Sequence, residues 1–289
     1  MTIVDARMKS VTSASADLQW KLALQQQAAD RRRSRIERMI VVAAQVLLIV
    51  LLLVFWELAP KEGVFDPFYI SRPSTIFNTL VTWHNNGLLW GNILKTLEIT
   101  IYGFFIGASL GFVVGALLGV SRWLGRILTP FITALQSVPR LALVPLFILW
   151  FGIGLSSKLA LVATVVFFLV FQATRAGVHS VDEQLTNALR IMRAKPWQVH
   201  MKATLPSAVI WIGEGLRVSV PWALVATVTA EILSANEGLG YLIARSAGQF
   251  FTAGVFAAIF VLTVLGVLLT FVITVVEGRL LQWKTVGRH

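Results

Sequence analysis

The sequence predicts an all-α protein that crosses a membrane six times, and three observations support this fold class. First, 56% of the residues are hydrophobic and only 13% are charged, whereas a soluble domain is about 25% charged. Second, apolar runs recur along the chain, and a run of roughly 20 apolar residues spans a bilayer as a helix. Third, the basic residues are shared unevenly among the intervals between these runs, as in membrane proteins of fixed orientation.

The apolar runs divide the chain into three regions. Residues 1–38 form a polar N-terminal tail, residues 39–276 contain the spans, and residues 277–289 form a second polar tail. The six spans are predicted at residues 39–58, 97–120, 127–150, 158–176, 208–232 and 251–276. The first run is too long for a signal peptide, so we expect it to remain. The N-terminal composition is typical of a flexible or amphipathic tail, with a regulatory surface helix as the alternative.

The interval between the first two spans contains a further helix start. Pro73 lies between Ser71-Arg72 and Ser74, and a proline in the first turn of a helix is favourable. We expect residues 74–84 to form a helix along the membrane face.

Span 2 carries a stripe of glycines at every fourth position. The stripe consists of Gly103, Gly107, Gly111, Gly115 and Gly119. At 3.6 residues per turn these residues share one face of a helix. Small residues on one face allow a second helix to approach closely in lipid. The stripe therefore predicts tight packing of span 2 against another span.

Span 3 is interrupted by Pro130, Pro139 and Pro145, and Arg140 lies in the break. A proline inside a helix removes a backbone hydrogen bond and kinks the helix. Broken helices at membrane depth are tolerated where they face protein or a water-filled cavity. We expect Gly152 and Gly154 to form the turn into span 4 and residues 233–250 to form a glycine-containing outer loop.

The distribution of Lys and Arg predicts the orientation. With the N-terminus inside, 18 of the 25 basic residues fall on the inner side and five fall outside. Basic residues favour the cytoplasmic side. We therefore expect both termini and the polar interval 180–206 to be cytoplasmic.

Charged residues within the spans are candidates for the translocation pathway, because a charge at mid-bilayer is costly unless it faces a cavity or a partner. Arg140, next to Pro139, either attracts an anionic solute or satisfies carbonyls freed by the proline. Glu214 and Arg217 are three residues apart and can form a structural ion pair, or they can line the pathway. Glu231 either caps a helix end or lines an outer gate.

No catalytic or metal-binding motif is visible in the sequence. The chain has no cysteine, its four histidines are scattered, and no phosphate-binding glycine loop with the required Lys spacing occurs. We expect no catalytic residue and no metal ligand in this chain. If the protein pumps a solute, the energy must come from a partner or from an ion gradient.

Residues 180–206 form the one long polar interval between spans in the second half of the chain. Their spacing predicts two short helices, 181–192 and 196–200, joined at Arg193-Ala194-Lys195. Trp197 adds a large apolar side chain of the kind favoured where proteins dock. The alternative is a linker helix that lies on the membrane.

This interval resembles the coupling loop of ATP-binding-cassette importer permeases. Asn187-Ala188-Leu189 stands where Glu-Ala-Ala is usual, Arg193 stands where Gly is usual, and Leu205-Pro206 matches the family pattern. Other segments resemble the nitrate/sulfonate/taurine branch of that family, over about residues 45–285: Pro73-Ser74, residues 115–123, residues 137–154, Val181-Asp182, Trp197-Gln198, Gly215-Leu216-Arg217 and Glu237-Gly238-Leu239-Gly240. The resemblance assigns ATPase coupling to Asn187, Ala188, Leu189, Arg190, Arg193, Ala194, Lys195, Trp197, Leu205 and Pro206.

The resemblance implies a type I importer fold in a bacterial inner membrane. A second permease chain, by default an identical one, would complete the pore. Two cytoplasmic ATPase subunits would bind ATP and magnesium and grip the coupling loops, and an outer solute-binding protein would deliver the solute. The expected solute is a small anion or zwitterion such as a sulfonate, nitrate or taurine, although the branch also includes permeases for vitamin precursors.

Two other functions remain open at this stage. An ion-gradient-driven secondary transporter would show an internal repeat and paired intramembrane carboxylates, and neither is evident. A membrane-embedded enzyme or accessory subunit would need a polar catalytic cluster, which is also not evident. At Asn187 and Arg193 the family pattern is altered, and we expect an acidic ATPase groove to face Arg190, Arg193 and Lys195.

Overall fold

The computed structural model describes residues 37–60, 63, 65–66, 68–181, 183–199, 201–202, 205–234 and 236–280. The predicted tails therefore lie outside the described residues except at their inner ends. The side chains of Arg190, Leu205 and Pro206 also lie outside the description. All secondary structure in the described ranges is helical, as the sequence predicts.

The chain divides into two compact units, Met1–Asp66 and Pro67–His289. The described part of the first unit contains α1, Glu37–Leu58, which coincides with predicted span 1. The second unit contains the remaining helices: α2 Pro73–Asn85, α3 Leu88–Val120, α4 Arg122–Gln136, a 3₁₀ helix Arg140–Leu143, α5 Val144–Phe151, α6 Leu155–His179, α7 Glu183–Ile191, α8 Pro196–Val199, α9 Leu205–Ser234, α10 Leu239–Gly248 and α11 Thr252–Leu280.

Five of the described helices are long and apolar enough to cross a membrane, namely α1, α3, α6, α9 and α11. The predicted third span is present as two pieces, Trp123–Gln136 and Arg140–Phe151, bent by 82°. Pro139 lies at the bend and Pro145 lies in the first turn of α5, where its missing N–H costs no hydrogen bond. Counted as one broken span, this pair gives the predicted total of six.

The glycine stripe of α3 packs against α6, which confirms the predicted close helix contact. A Cβ atom built on Gly111 would lie 2.6 Å from the backbone oxygen of Phe167. Built on Gly115, it would lie 2.9 Å from the backbone oxygen of Phe171. Gly103 faces Val162 and Gly119 faces Val178, so the two helices run in parallel. The α3–α6 pair forms the centre of the bundle.

Helix α9 packs antiparallel against the same pair. Gly177 of α6 lies against Ala208, and Gly215 lies against Ala173. The core joins Val162 and Val166 of α6 to Ala226 of α9, all of which have no exposed surface. We call the end of the bundle at Val120, His179 and Leu205 the coupling end, and the end at Leu88, Leu155 and Ser234 the opposite end.

Within the predicted outer loop, residues 233–250, the chain forms a short helix that the sequence did not predict, α10. Leu239, Leu242 and Ser246 are buried and occupy one face at helical spacing. Gly238 is the residue before the helix, with φ of +106°. The glycines therefore mark the start of a short helix that packs back onto the bundle.

Candidate functional site

A buried carboxylate organises the opposite end of the bundle. Glu231 on α9 has no exposed surface, and neither has Thr96 on α3. The Thr96 hydroxyl lies 2.9 and 3.0 Å from the two Glu231 oxygens and donates to them. The backbone N–H of Gly240 donates to Glu231 Oε2 at 2.8 Å. A buried charge needs partners of this kind, and here it obtains them from two elements.

The same network fixes the start of α10. Leu239 N–H donates to Thr96 Oγ1 at 2.9 Å, and Gly238 N–H donates to Asn92 Oδ1 at 2.6 Å. Gly240 lies in the first turn of α10, so Glu231 caps a helix end, one of the two possibilities that the sequence left open. A carboxylate at a helix N-terminus is also favoured by the helix dipole.

Two glycines make this close approach possible. A Cβ atom on Gly238 would collide with the Glu231 carboxylate, and one on Gly240 would lie 2.6 Å from the backbone oxygen of Val228. The sequence pattern Glu237-Gly238-Leu239-Gly240 is thus explained by contact with Glu231. One turn further toward the coupling end, the hydroxyls of Thr100 and Thr227 lie 2.9 Å apart, in a second buried polar layer between α3 and α9.

A polar cavity of about 300 Å³ adjoins this network. Lys95 forms ion pairs across it, 3.4 Å from Glu98 and 3.7 Å from Glu237. Lys158, at the start of α6, is buried and also lines the cavity. The charge distribution in the sequence predicts that Lys95 and Lys158 lie on the outer side of the membrane. In the structure both residues line this cavity at the opposite end.

Arg140 lies at the break of the broken span, as expected. Its guanidinium carbon is 4.7 Å from the centre of the Phe168 ring on α6, a cation–π contact. Its buried Nε atom has no hydrogen-bond partner in the described part of the chain. No hydrogen bond from Arg140 to a freed carbonyl occurs there, so the Phe168 ring is its anchor.

Two hydrogen-bonded glutamines lie close to Arg140, and the sequence analysis did not predict this pair. Gln172 Nε2 donates to Gln136 Oε1 at 2.7 Å, and both residues retain solvent exposure. Gln172 follows Phe168 by one helical turn, so the pair and Arg140 lie on the same side of α6. A polar residue on an apolar helix indicates such a site. The two glutamines are 36 residues apart in the chain, so the sequence does not show that they pair.

The Glu214–Arg217 ion pair that the spacing allowed is not formed. Both side chains are exposed on α9, and the ion pairs within the described residues do not include either of them. Three-residue spacing permits a pair but does not enforce it. A pathway role for these two residues stays a prediction.

The coupling segment, residues 180–206, contains the two predicted helices in shorter form, α7 and α8. Ala194 N–H donates to the Leu189 carbonyl at 3.0 Å, which closes α7 with the bond typical of a Schellman motif. Arg193 is the left-handed residue of this motif, with φ of +56°. Glycine is the usual residue at such a position because it has no Cβ penalty. The altered family position thus keeps the backbone conformation that a glycine would adopt there.

Helix α8 begins with a second capping device. Gln198 Oε1 accepts a hydrogen bond from Lys195 N–H at 2.8 Å, as the third residue of a helix does in a capping box. Two local motifs therefore define the turn at Arg193-Ala194-Lys195. A backbone hydrogen bond and a side-chain cap therefore fix the turn between the two helices.

The coupling segment exposes large apolar side chains. Ile191, Met192 and Trp197 are 83%, 77% and 61% exposed. Val199, on the other side of α8, is buried. Apolar side chains rimmed by Lys195 and Arg193 are typical of a surface that docks on another protein.

No group of three or more His, Asp or Glu side chains within the described ranges is placed to hold a metal ion. The polar clusters identified above consist of hydroxyls, amides and paired charges.

Comparison with known proteins matches this chain to transport permeases. A family model described as "Binding-protein-dependent transport system inner membrane component" matches residues 107–282. A Bacillus subtilis (strain 168) permease protein named for aliphatic sulfonates is 35% identical, over 80% of this chain and 84% of its own length. The formylaminopyrimidine transport permease protein of Halalkalibacterium halodurans is 32% identical, over 80% of this chain and 92% of that protein.

Among solved structures, a chain of the MetNI methionine ABC transporter in inward facing conformations has a TM-score of 0.59 to this chain. The match covers 70% of this chain and 97% of that chain at 20% identity. This likeness concerns the fold.

Proposed function

Because the chain belongs to the family of binding-protein-dependent transport system inner membrane components, and is a permease subunit of an ATP-binding-cassette importer, we propose that partner ATPases drive it through the coupling segment. The observation that carries the proposal is the pair α7–α8, which presents exposed Ile191, Met192 and Trp197 beside basic side chains. Asn187, Ala188, Leu189 and Arg190 lie on α7, and Leu205-Pro206 begins α9. Movement of the coupling segment is thus passed directly to the bundle.

The proposed complex contains two permease chains, by default identical, and two ATPase subunits that bind ATP and magnesium. A solute-binding protein delivers the solute at the opposite end. Both termini and the coupling segment then face the cytoplasm, in agreement with the surplus of basic residues there. Closure of the ATPases on ATP would rock the two permease chains between inward- and outward-open states.

The proposed solute is a small anion or zwitterion of the sulfonate, nitrate or taurine type. Arg140, Gln136 and Gln172 support this choice, because a cation and amides at a helix break can bind an oxyanion. One relative is named for aliphatic sulfonates, whereas another is named for formylaminopyrimidine. The second name keeps a neutral heterocycle as the alternative solute.

The experiment that tests the coupling proposal is reconstitution. The full chain, purified from native membranes with its bound subunits, is placed in liposomes, and uptake of radiolabelled taurine or methanesulfonate is measured with and without ATP. We expect uptake to require ATP and a co-purifying ATPase. Uptake by the isolated chain, driven by an ion gradient without ATP, would support a secondary transporter instead.

A further inference from the structure

A cavity of about 580 Å³ opens between α3, α4 and α6 at the coupling end. Arg126 lines it from α4, and Arg175 and His179 line it from α6. None of its lining residues, all of which belong to the described ranges, is acidic. Neither guanidinium forms an ion pair with a described acidic residue. The cavity therefore concentrates positive charge without an internal counter-charge.

Thr129 on α4 also lines the cavity, and its hydroxyl oxygen is buried against the protein. The Thr129 Oγ1 atom is shielded from solvent and has no hydrogen-bond partner among the described residues. Other threonines on these helices, such as Thr164, donate to the carbonyl four residues earlier. Pro130 also follows Thr129 and, lacking an N–H, leaves the Arg126 carbonyl without its usual helical partner.

The cavity continues along two polar stripes toward the middle of the bundle. Arg126, Thr129 and Gln136 share one face of α4, at spacings of three and seven residues. Gln172, Arg175 and His179 share one face of α6 at helical spacing. The hydrogen bond between Gln136 and Gln172 joins the two stripes at their inner ends. The cations thus lie at the mouth of a polar seam.

An exposed apolar face lies beside the cavity mouth. Trp123, Ile127 and Phe131 follow one another at four-residue spacing on α4 and are 71%, 43% and 67% exposed. Tryptophan favours the headgroup level of a bilayer, and basic pockets between spanning helices at the cytoplasmic side suit lipid headgroups. A basic cavity next to an apolar stripe matches a phosphate with acyl chains attached.

We propose that this cavity is an oxyanion site that takes the phosphate of an anionic lipid headgroup. The same donors suit a free oxyanion such as the imported solute, and that second source rests on the proposed function. Arg126 and Arg175 supply the charge, and His179 lines the cavity beside them. The assignment concerns the single chain and does not depend on transport.

The test measures lipid retention by the full chain, purified alone, with native mass spectrometry after addition of phosphatidylglycerol or phosphatidylcholine. We expect the chain to retain phosphatidylglycerol in preference to phosphatidylcholine. The double variant R126Q/R175Q should lose this preference, with retention reduced roughly tenfold. R126K/R175K keeps both charges and should keep retention. R279Q removes an exposed charge at the same end, outside the cavity, and is the matched control.

A competition arm separates the two sources of the oxyanion. Displacement of phosphatidylglycerol by millimolar methanesulfonate would show that free oxyanions enter the same site. Retention of the lipid under these conditions would assign the site to lipid alone. Equal lipid retention by R126Q/R175Q and R279Q would overturn the proposal, whatever the outcome of the transport assay.

Discussion

The carboxylate of Glu231 shows how a single charged residue is accommodated inside an apolar helix. It accepts hydrogen bonds from the Thr96 hydroxyl and from the Gly240 N–H. In lipid an isolated carboxylate would be strongly unfavourable. The hydrogen bonds of the network offset that cost, and they also fix the position of the first turn of α10.

Replacing Glu231 should therefore destabilise the protein. Glu231→Ala leaves the Gly240 N–H and Thr96 hydroxyl without their acceptor, at about 1–3 kcal/mol for each buried group. We expect a clearly lower melting temperature of the purified chain in detergent, and a smaller decrease for Glu231→Gln, which keeps an oxygen acceptor. Glu214→Ala on the same helix is the control, because Glu214 is exposed. Equal melting temperatures for Glu231→Ala and Glu214→Ala would contradict the role assigned to the network.

Sequence reasoning identified Glu231 as significant because it is an acid inside an apolar run. It could not identify the partner, since Thr96 lies 135 residues away on another helix. The Glu214–Arg217 pair shows the opposite error, because local spacing suggested a contact that is not formed. The role of Arg193 was predictable only in part. Its place in the motif was predicted, and the structure shows that an arginine adopts the left-handed conformation there.

At the scale of the helices, the glycine stripe of α3 sets how closely α3 and α6 approach. The atoms that face Gly111 belong mainly to the backbone of α6, at Phe167 and Phe171. Backbone atoms cannot move aside as the end of a flexible side chain can. In lipid no hydrophobic effect draws helices together. The close packing that small residues allow stabilises the α3–α6 pair instead.

Gly111→Ala should separate the two helices. The added methyl group would meet the Phe167 carbonyl oxygen at 2.6 Å, and overpacking of this kind costs about 1–3 kcal/mol. We expect a lower melting temperature in detergent. Gly91→Ala on the same helix has no atom within 4 Å and should be neutral or slightly stabilising, since Ala is the better helix former. The idea fails if the two variants melt alike.

The elements themselves were largely predictable. Apolar runs placed the spanning helices, and the prolines placed the break at Pro139. Helix α3 begins at Leu88, nine residues before the predicted span, because polar residues such as Asn92 and Lys95 interrupt the apolar pattern of its first turns. Helix α10 was missed for a related reason. Gly238 and Gly240 indicated a loop, whereas their small size serves contact with Glu231.

At the scale of the whole molecule, the polar features are segregated between the two ends of the bundle. The Glu231 network and the Lys95 ion pairs occupy the opposite end. The coupling segment and the Arg126 cavity occupy the coupling end. Arg140 lies between them at the helix break. This arrangement agrees with the importer proposed here, in which solute enters at one end and ATPases act at the other.

The charge of the coupling segment should select its ATPase partner. We expect the triple reversal R190E/R193E/K195E to weaken co-purification of the ATPase roughly tenfold and to reduce ATP-dependent uptake, because the partner groove is expected to be acidic. Arg193→Gly is the control, since it removes one charge but relieves a left-handed arginine that costs about 1 kcal/mol. It should retain the ATPase within about twofold and should not lower the melting temperature. If the triple reversal binds the ATPase as the unmodified chain does, the acidic groove is wrong and the apolar residues Ile191, Met192 and Trp197 must supply the contact.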